Sequence, residues 1–266
     1  MSKSGFSSSL ARLLSARANI IYALMLRDMR TRFGRSHASY LIAIAWPIVH
    51  LLVLVVIMAF VNRIAPIGGD PVVFVTSGVL AYILCFYPAR AMGMALEMNR
   101  ALFLFPVVKV FDVIVARAVV EFVTSFIVVT VVFVSAGLSG IDLLPLDKFT
   151  LASGIVAIIY FSISLGFVNV VLSSIFRMWN IVFIFMMLGM YMTSGLFAVP
   201  SSMPTAMREL VWYNPLLHAI EWIRSAYYEG YGDEMLSKAY FLSLGTIFLF
   251  LGLLGERFMR GKLLTG

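Results

Sequence analysis

The residues able to do chemistry in this chain are few and far apart. Its histidines are His37, His50 and His218, and its one cysteine is Cys85. No H-E-x-x-H string or cysteine cluster gathers metal ligands. His218 and Glu221 stand three apart and could share a helix face, but two ligands do not make a site, so no metal is expected. No D-x-D or intramembrane aspartate pair supports glycosyl transfer or intramembrane proteolysis, so no catalytic residue is expected. The string closest to a phosphate loop, GERFMRGKL, has the wrong glycine spacing and no Ser or Thr after Lys262. A nucleotide site of that type, with its Mg2+, is therefore not expected in this chain, and no cofactor is assigned to it.

What remains is charge and aromatic surface inside apolar stretches, where each ionisable group is costly and tends to face protein or a water path. Arg90 follows Pro88 near the end of one such stretch. Arg117 and Glu121 lie four apart, on one face of a helix. Read from the residues, Arg117 snorkels to the interface with Glu121 as its partner, and substrate contact is the alternative. Trp46, Trp179, Trp212 and Trp222 suit membrane-belt anchoring. Sugar rings also stack on aromatic faces, which makes Tyr82, Phe86, Tyr87 and Tyr191 candidates for the lining of a path, together with Arg90, Arg177, His218 and Glu221.

The elements that must position these residues follow from composition. The chain has 266 residues, 62% of them hydrophobic and 12% charged, and a mean hydropathy of +0.99. That leaves too little polar surface for a water-covered domain. Long apolar stretches of about 20 residues point to helices that cross a hydrocarbon core of roughly 30 Å. The class expected is an all-α polytopic membrane protein. Cys85 lies in such a stretch as packing, and no intrachain disulfide can form.

Six spans are expected: 40–62, 72–95, 113–137, 150–173, 180–199 and 239–255. The stretch 200–238 is too apolar for a solvated loop and too interrupted to cross, with Pro215 at its middle. It is read as two short re-entrant helices, 205–213 and 216–228. The second carries Leu216, Ile220, Ile223 and Tyr227 on one face and His218, Glu221, Ser225 and Tyr228 on the other.

Residues 1–39 form a basic N-terminal region, and 10–33 reads as an amphipathic helix along the membrane surface. The opening residues show no apolar core followed by a cleavage site, so no cleaved secretory signal is expected. The net charge of +7 does not suggest nucleic acid, because the basic residues collect at span ends. They crowd the N-terminal region, the 97–112 loop, Arg177 and the tail 256–266, while Asp70, Asp142, Asp147, Glu209, Asp233 and Glu234 occupy the other loops. The positive-inside rule then places both ends in the cytoplasm.

Three stretches, LRDMRTRFGRSHASYLIAIAWPIVH (26–50), EMNRALFLFPVVKVFDVIVARAVVEF (97–122) and WYNPLLHAIEWIRSAYYEG (212–230), resemble the membrane subunit of type-2 ATP-binding-cassette exporters, and among them the bacterial capsular polysaccharide exporters. The resemblance implies a homodimeric permease of the bacterial inner membrane, bound to two copies of a separate ATPase that hold ATP and Mg2+. It implies a coupling helix over about 97–105, with Glu97, Asn99, Arg100, Phe103 and Phe105 facing the ATPase. The substrate implied is a lipid-linked, acidic capsular polysaccharide or glycolipid, with a periplasmic adaptor and an outer-membrane channel as further partners; Arg90, with Arg177 near the cytoplasmic mouth, is then expected to attract its acidic groups or its phospholipid end. Exporters of O-antigen, teichoic acid, lipid or drug are the alternatives, and beyond them an embedded enzyme acting on lipid-linked sugar.

Overall fold

The computed structural model describes residues 3–33, 37–61, 67, 70–231 and 234–265. Every regular element among them is helical. In chain order these are α1 (Lys3–Phe33), α2 (His37–Val61), α3 (Pro71–Gly93), α4 (Ala95–Met98), a 3₁₀ turn Arg100–Leu104, α5 (Val110–Leu138), α6 (Lys148–Ile175), α7 (Trp179–Met192), a 3₁₀ turn Pro200–Ser202, α8 (Thr205–Val211), α9 (Pro215–Arg224) and α10 (Lys238–Thr265). Four helices, over 71–93, 110–138, 148–175 and 238–258, are long and apolar enough to cross a membrane; Ile44–Ile57 and Trp179–Met192 are shorter apolar helices.

Local chemistry sets where these helices begin. Asp70 caps α3 by accepting from the Val72 amide at 2.8 Å, and Pro71 fills the first turn, where no amide partner is needed. Asp147 caps α6 through the amides of Phe149 and Thr150. The bonds from Thr150, side chain first, hold the Asp147 carboxyl below its ordinary range. Asn214 and Pro215 repeat the Asp70–Pro71 arrangement at α9.

α3 is the axis of the bundle and packs against α2, α5, α6 and α9. Pro88 inside it removes one rung of its backbone ladder, and α6 places donors beside the gap. Ser162 Oγ donates to the Cys85 carbonyl at 2.6 Å, and Asn169 Nδ2 donates to the Ala89 carbonyl at 2.9 Å. α10 lies along α6 with its glycines turned inward: Gly252 faces the backbone of Phe167 and Val168, and Gly255 faces Val171. Small residues allow this approach, as in other membrane helix pairs.

One end of the bundle carries α1, α4, the start of α5 and the ends of α3, α6 and α10; the opposite end carries α8 and α9. The expected spans correspond to helices with three corrections. α7 stops at Met192, not near 199, because Gly195 takes a left-handed turn with φ 76°. At 1.5 Å per residue its 14 residues cover about 21 Å, less than a hydrocarbon core of about 30 Å. α10 runs on to Thr265, so the tail 256–265 continues the last helix instead of leaving it. α9 ends at Arg224, not near 228, and is buried on every side, so His218 and Glu221 are turned into protein.

α1 begins at Lys3, earlier than expected, and turns Leu24 and Asp28 inward against α5 while Leu13 and Leu14 stay exposed. Of the expected polar assignments, Asp233 lies outside the described residues.

Candidate functional site

At the α1 end, polar contacts tie α1 to the bundle. Arg117 of α5 is buried, and its Nη1 donates to both carboxylate oxygens of Asp28, at 3.0 and 2.8 Å. Its Nε lies 3.4 Å from Glu121 Oε1. This corrects the expected snorkelling: Arg117 turns inward, and its closer partner is the acid on α1. One turn before it, Asp112 accepts from Arg17 at 2.9 Å and from the Lys109 amide at 3.2 Å. Arg27 donates to Asn99 Oδ1 at 2.8 Å, and Asn99 Nδ2 donates back to the Ala95 carbonyl at 2.8 Å. α1 therefore holds both the first turns of α5 and the α4 segment in place.

That segment is a stub, held from behind through Asn99, with an exposed face. Glu97, Arg100 and Pro106 are exposed, as are Leu104 and Phe105 at 83% and 61%, while Phe103 is half-buried. Asn99 is buried and serves the Arg27 contact, so it supports this face from behind instead of forming it. Glu97, Arg100, Arg177, Ser173, Ser174 and Asn180 line a polar cavity of about 390 Å³ between α4, α6 and the start of α7. Arg177 and Arg90, expected to act together, belong to different cavities.

The four aromatics expected along a path do come together, around a histidine that sequence reasoning left out. Tyr191 Oη lies 3.0 Å from His50 Nε2, and Tyr87 Oη lies 3.4 Å from His50 Nδ1. Tyr82 packs against Tyr191, Phe86 and Tyr87 with centroids 4.4, 5.2 and 5.9 Å apart. Phe86 and Tyr191 are buried, so their faces serve packing between α2, α3 and α7; Tyr82 and Tyr87 remain half-exposed. Beside them, a cavity of about 310 Å³ opens between α2, α3 and α5, with Trp46, Tyr87, Arg90 and Glu121 in its wall.

At the opposite end, His218 and Glu221 are buried braces. Ser237 N–H donates to His218 Nδ1 at 3.2 Å, which leaves Nε2 to carry the proton and donate to the Trp212 carbonyl at 2.8 Å. Burial pulls the His218 imidazole below its usual value. Glu221 accepts from Tyr231 at 2.6 Å; burial raises its carboxyl, with the Tyr231 bond and the Arg224 charge pulling the other way.

Arg224, which sequence reasoning missed, is fully buried. It donates to the carbonyls of Gly195, Leu196 and Phe74 at 2.7, 3.0 and 3.3 Å, and its Cζ sits 3.7 Å over the Phe74 ring. The i,i+3 spacing of Glu221 and Arg224 was the available signal. Among the described residues no group of three or more His, Cys, Asp or Glu could hold a metal.

Over 246 residues the chain is 29% identical to the polysialic acid transport protein KpsM of Escherichia coli, covering 92% of this chain and 95% of that one. It is 24% identical over 224 residues to the capsule polysaccharide export inner-membrane protein CtrC of Neisseria meningitidis serogroup B, covering 81% of each. With BexB of Haemophilus influenzae, another capsule polysaccharide export inner-membrane protein, it is 22% identical over 250 residues, 88% of this chain and 91% of the relative. Residues 19–228, from the buried face of α1 to just past α9, match the ABC-2 type transporter description, and the chain belongs to that family of transport membrane subunits.

Proposed function

We propose that this chain is the membrane subunit of an ATP-driven exporter of capsular polysaccharide in the bacterial inner membrane. It works as a homodimer on two copies of a separate ATPase, which bind ATP and Mg2+, and passes polymer to a periplasmic adaptor and an outer-membrane channel. The names of the relatives support the substrate class, since each aligns over most of its length.

The orientation follows from charge. Arg12, Arg17, Arg27, Arg30, Arg100, Lys109 and Arg177 gather at the α1 end, and Asp70, Asp142, Asp147, Glu209 and Glu234 gather at the other. Positive residues on the inner side put α1 and the end of α10 in the cytoplasm. Six crossings are then made by α2, α3, α5, α6 and α10, and by α7 completed by the apolar segment 193–199 that follows it. α8 and α9 form a segment that enters the outer leaflet without crossing, with the α9 backbone covered by protein as such depth requires.

The observation that carries the reading is the exposed stub 97–106, held from behind by α1. Exposed Leu104 and Phe105 beside Glu97 and Arg100, on a braced turn, form a surface suited to a protein partner. Force delivered there reaches α1 through Asn99 and the spans through α5, which a subunit that alternates between two conformations needs. Arg90 favours the homodimer: it is an exposed guanidinium in the last turn of an otherwise buried span, and a second copy would enclose it with water instead of lipid.

The test is reconstitution in vesicles with the partner ATPase. Wild type is expected to move polymer only when both proteins and ATP are present. Glu97→Arg together with Arg100→Glu is expected to abolish ATPase binding and export while the protein still inserts. Polymer movement by this chain alone would overturn the reading.

A further inference from the structure

Arg90 is the one arginine of the α2–α3–α5 cavity, and its charge is not spent inside the protein. The two buried arginines of the bundle, Arg117 and Arg224, are engaged by a carboxylate pair and by backbone carbonyls. No ion pair or hydrogen bond engages Arg90 among the described residues, and it stands exposed in the wall of an open cavity. The same cavity of about 310 Å³ is lined by Tyr87, one turn before Arg90 on α3, by Trp46 of α2, and by a polar strip on one face of α5, Glu121, Thr124 and Ser125. Trp46 is 71% exposed, although its neighbours Pro47 and Leu51 are buried, so its ring face is available.

A space of this size is at the lower end of ligand pockets, which run about 300–1,000 Å³, and suits one monomer of a polymer rather than a chain. A cation, two ring faces and a strip of hydroxyl and carboxylate acceptors are the groups that recognise a sugar carrying an acid. The guanidinium pairs with the carboxylate, the apolar faces of the ring pack on aromatics, and its hydroxyls bond the polar strip.

We propose that the cavity between α2, α3 and α5 is a subsite for one carboxylated sugar unit of the exported polymer. Arg90 pairs its carboxylate, Trp46 and Tyr87 flank its ring, and Glu121, Thr124 and Ser125 take its hydroxyls. The proposal rests on the polysaccharide-export reading and adds to it the place where an acidic unit is held and the side chains that hold it.

One consequence reaches beyond binding. Glu121 belongs both to the cavity wall and to the Arg117 ion pair, and Arg117 holds Asp28 of α1. A sugar hydroxyl donating to Glu121 draws charge from Arg117, so occupancy of the cavity is felt at the helix that braces the 97–106 stub. Substrate presence and the ATPase surface are thereby connected through three side chains.

The test is binding to the purified full-length chain in detergent, without an ATPase, of three probes: tri-galacturonate, maltotriose and glycerol phosphate. Tri-galacturonate is expected to bind and maltotriose to bind at least about tenfold more weakly, the scale of losing one charge-assisted contact. Arg90→Ala should weaken tri-galacturonate by at least about tenfold and Arg90→Lys by less, because the charge survives without the planar fork. Trp46→Ala should weaken both sugars, and Trp46→Phe should restore them.

Equal affinity of wild type and Arg90→Ala for tri-galacturonate would overturn the subsite, as would no binding of tri-galacturonate at all. Arg90-dependent binding of glycerol phosphate alone would overturn it in favour of a lipid headgroup. Variants that elute and unfold like wild type exclude misfolding as the cause. Because the assay uses no ATPase, a negative result removes the subsite and leaves the export reading to the vesicle experiment.

Discussion

Arg117 grips Asp28 with a single nitrogen, Nη1 donating to both carboxylate oxygens, and the two residues stand 89 positions apart in the chain. The contact joins a surface helix to the first turns of α5, and both side chains are almost wholly buried. Burying two charges costs several kcal/mol per ion before their attraction offsets it, so the pair matters most when half of it is removed. Arg117→Ala is expected to destabilise the protein by about 3–5 kcal/mol, leaving Asp28 and Glu121 buried without their cation. Arg117→Met with Asp28→Leu should cost far less than the single change. Thermal unfolding of the detergent-solubilised variants checks this; a double variant no more stable than Arg117→Ala would mean that the pair is not the cause.

Arg224 anchors the opposite end by a different use of the same group. Its guanidinium serves the carbonyls of Gly195 and Leu196 in the turn after α7 and that of Phe74 in α3, which also accepts from the Ser77 hydroxyl. Arg224→Met keeps much of the volume and removes the donors, at an expected cost of about 3 kcal/mol or more for the carbonyls and Glu221 left behind. Arg224→Lys should recover little of this, because a point charge cannot reach carbonyls spread around a planar fork. Limited proteolysis near 193–199, compared with wild type, shows whether the turn has loosened.

The helices themselves were largely legible, because an apolar run bounded by a capping acid, a proline or a cluster of charge states its own ends. α3 and α6, each capped by an aspartate, begin within two residues of the expected positions. α7 shows the limit of that reasoning: residues 193–199 are apolar enough to continue a span, yet Gly195 turns left-handed within them. Hydropathy reports what tolerates lipid and not where a backbone bends. The same blindness extends to partners: Asp28 reads as a lone acid among arginines, and nothing near it in the chain announces Arg117. His50 was likewise weighed only as a metal ligand, whereas its role in the fold is to gather Tyr87 and Tyr191 from two other helices.

The seam between α6 and α10 is set by backbone and not by side chains. A Cβ placed on Gly252 would stand 2.5 Å from Phe167 Cβ and 2.9 Å from the backbone carbon of Phe167 and nitrogen of Val168. A flexible side chain could move aside; this backbone lies inside a helix and cannot do so cheaply. Gly252→Ala is expected to destabilise by about 1–3 kcal/mol, the usual range for overpacking. Gly137→Ala on α5, where nothing lies within 4 Å, should be neutral or stabilising by up to about 1 kcal/mol from helix propensity. Unfolding curves that place the two variants together would remove the close seam as an explanation.

The contact between Arg27 and Asn99 bears most directly on how the subunit works. It is the joint where α1 meets the stub 97–106, and its 2.8 Å bond is braced by Asn99 reaching back to the Ala95 carbonyl. Because Arg27 is half-exposed, the fold does not depend on it, and Arg27→Ala should leave thermal stability within about 1 kcal/mol of wild type. Transmission is another matter: a stub released from α1 can yield under the ATPase without passing its motion on. Export by the reconstituted complex is expected to fall by roughly threefold to tenfold, the scale of one lost ordinary hydrogen bond, with ATP hydrolysis less affected than polymer movement. Arg27→Lys, which retains a donor within reach of Asn99, should restore part of the export. If Arg27→Ala exports and hydrolyses ATP at wild-type rates, α1 serves only as a membrane anchor and force enters the spans through α5 alone.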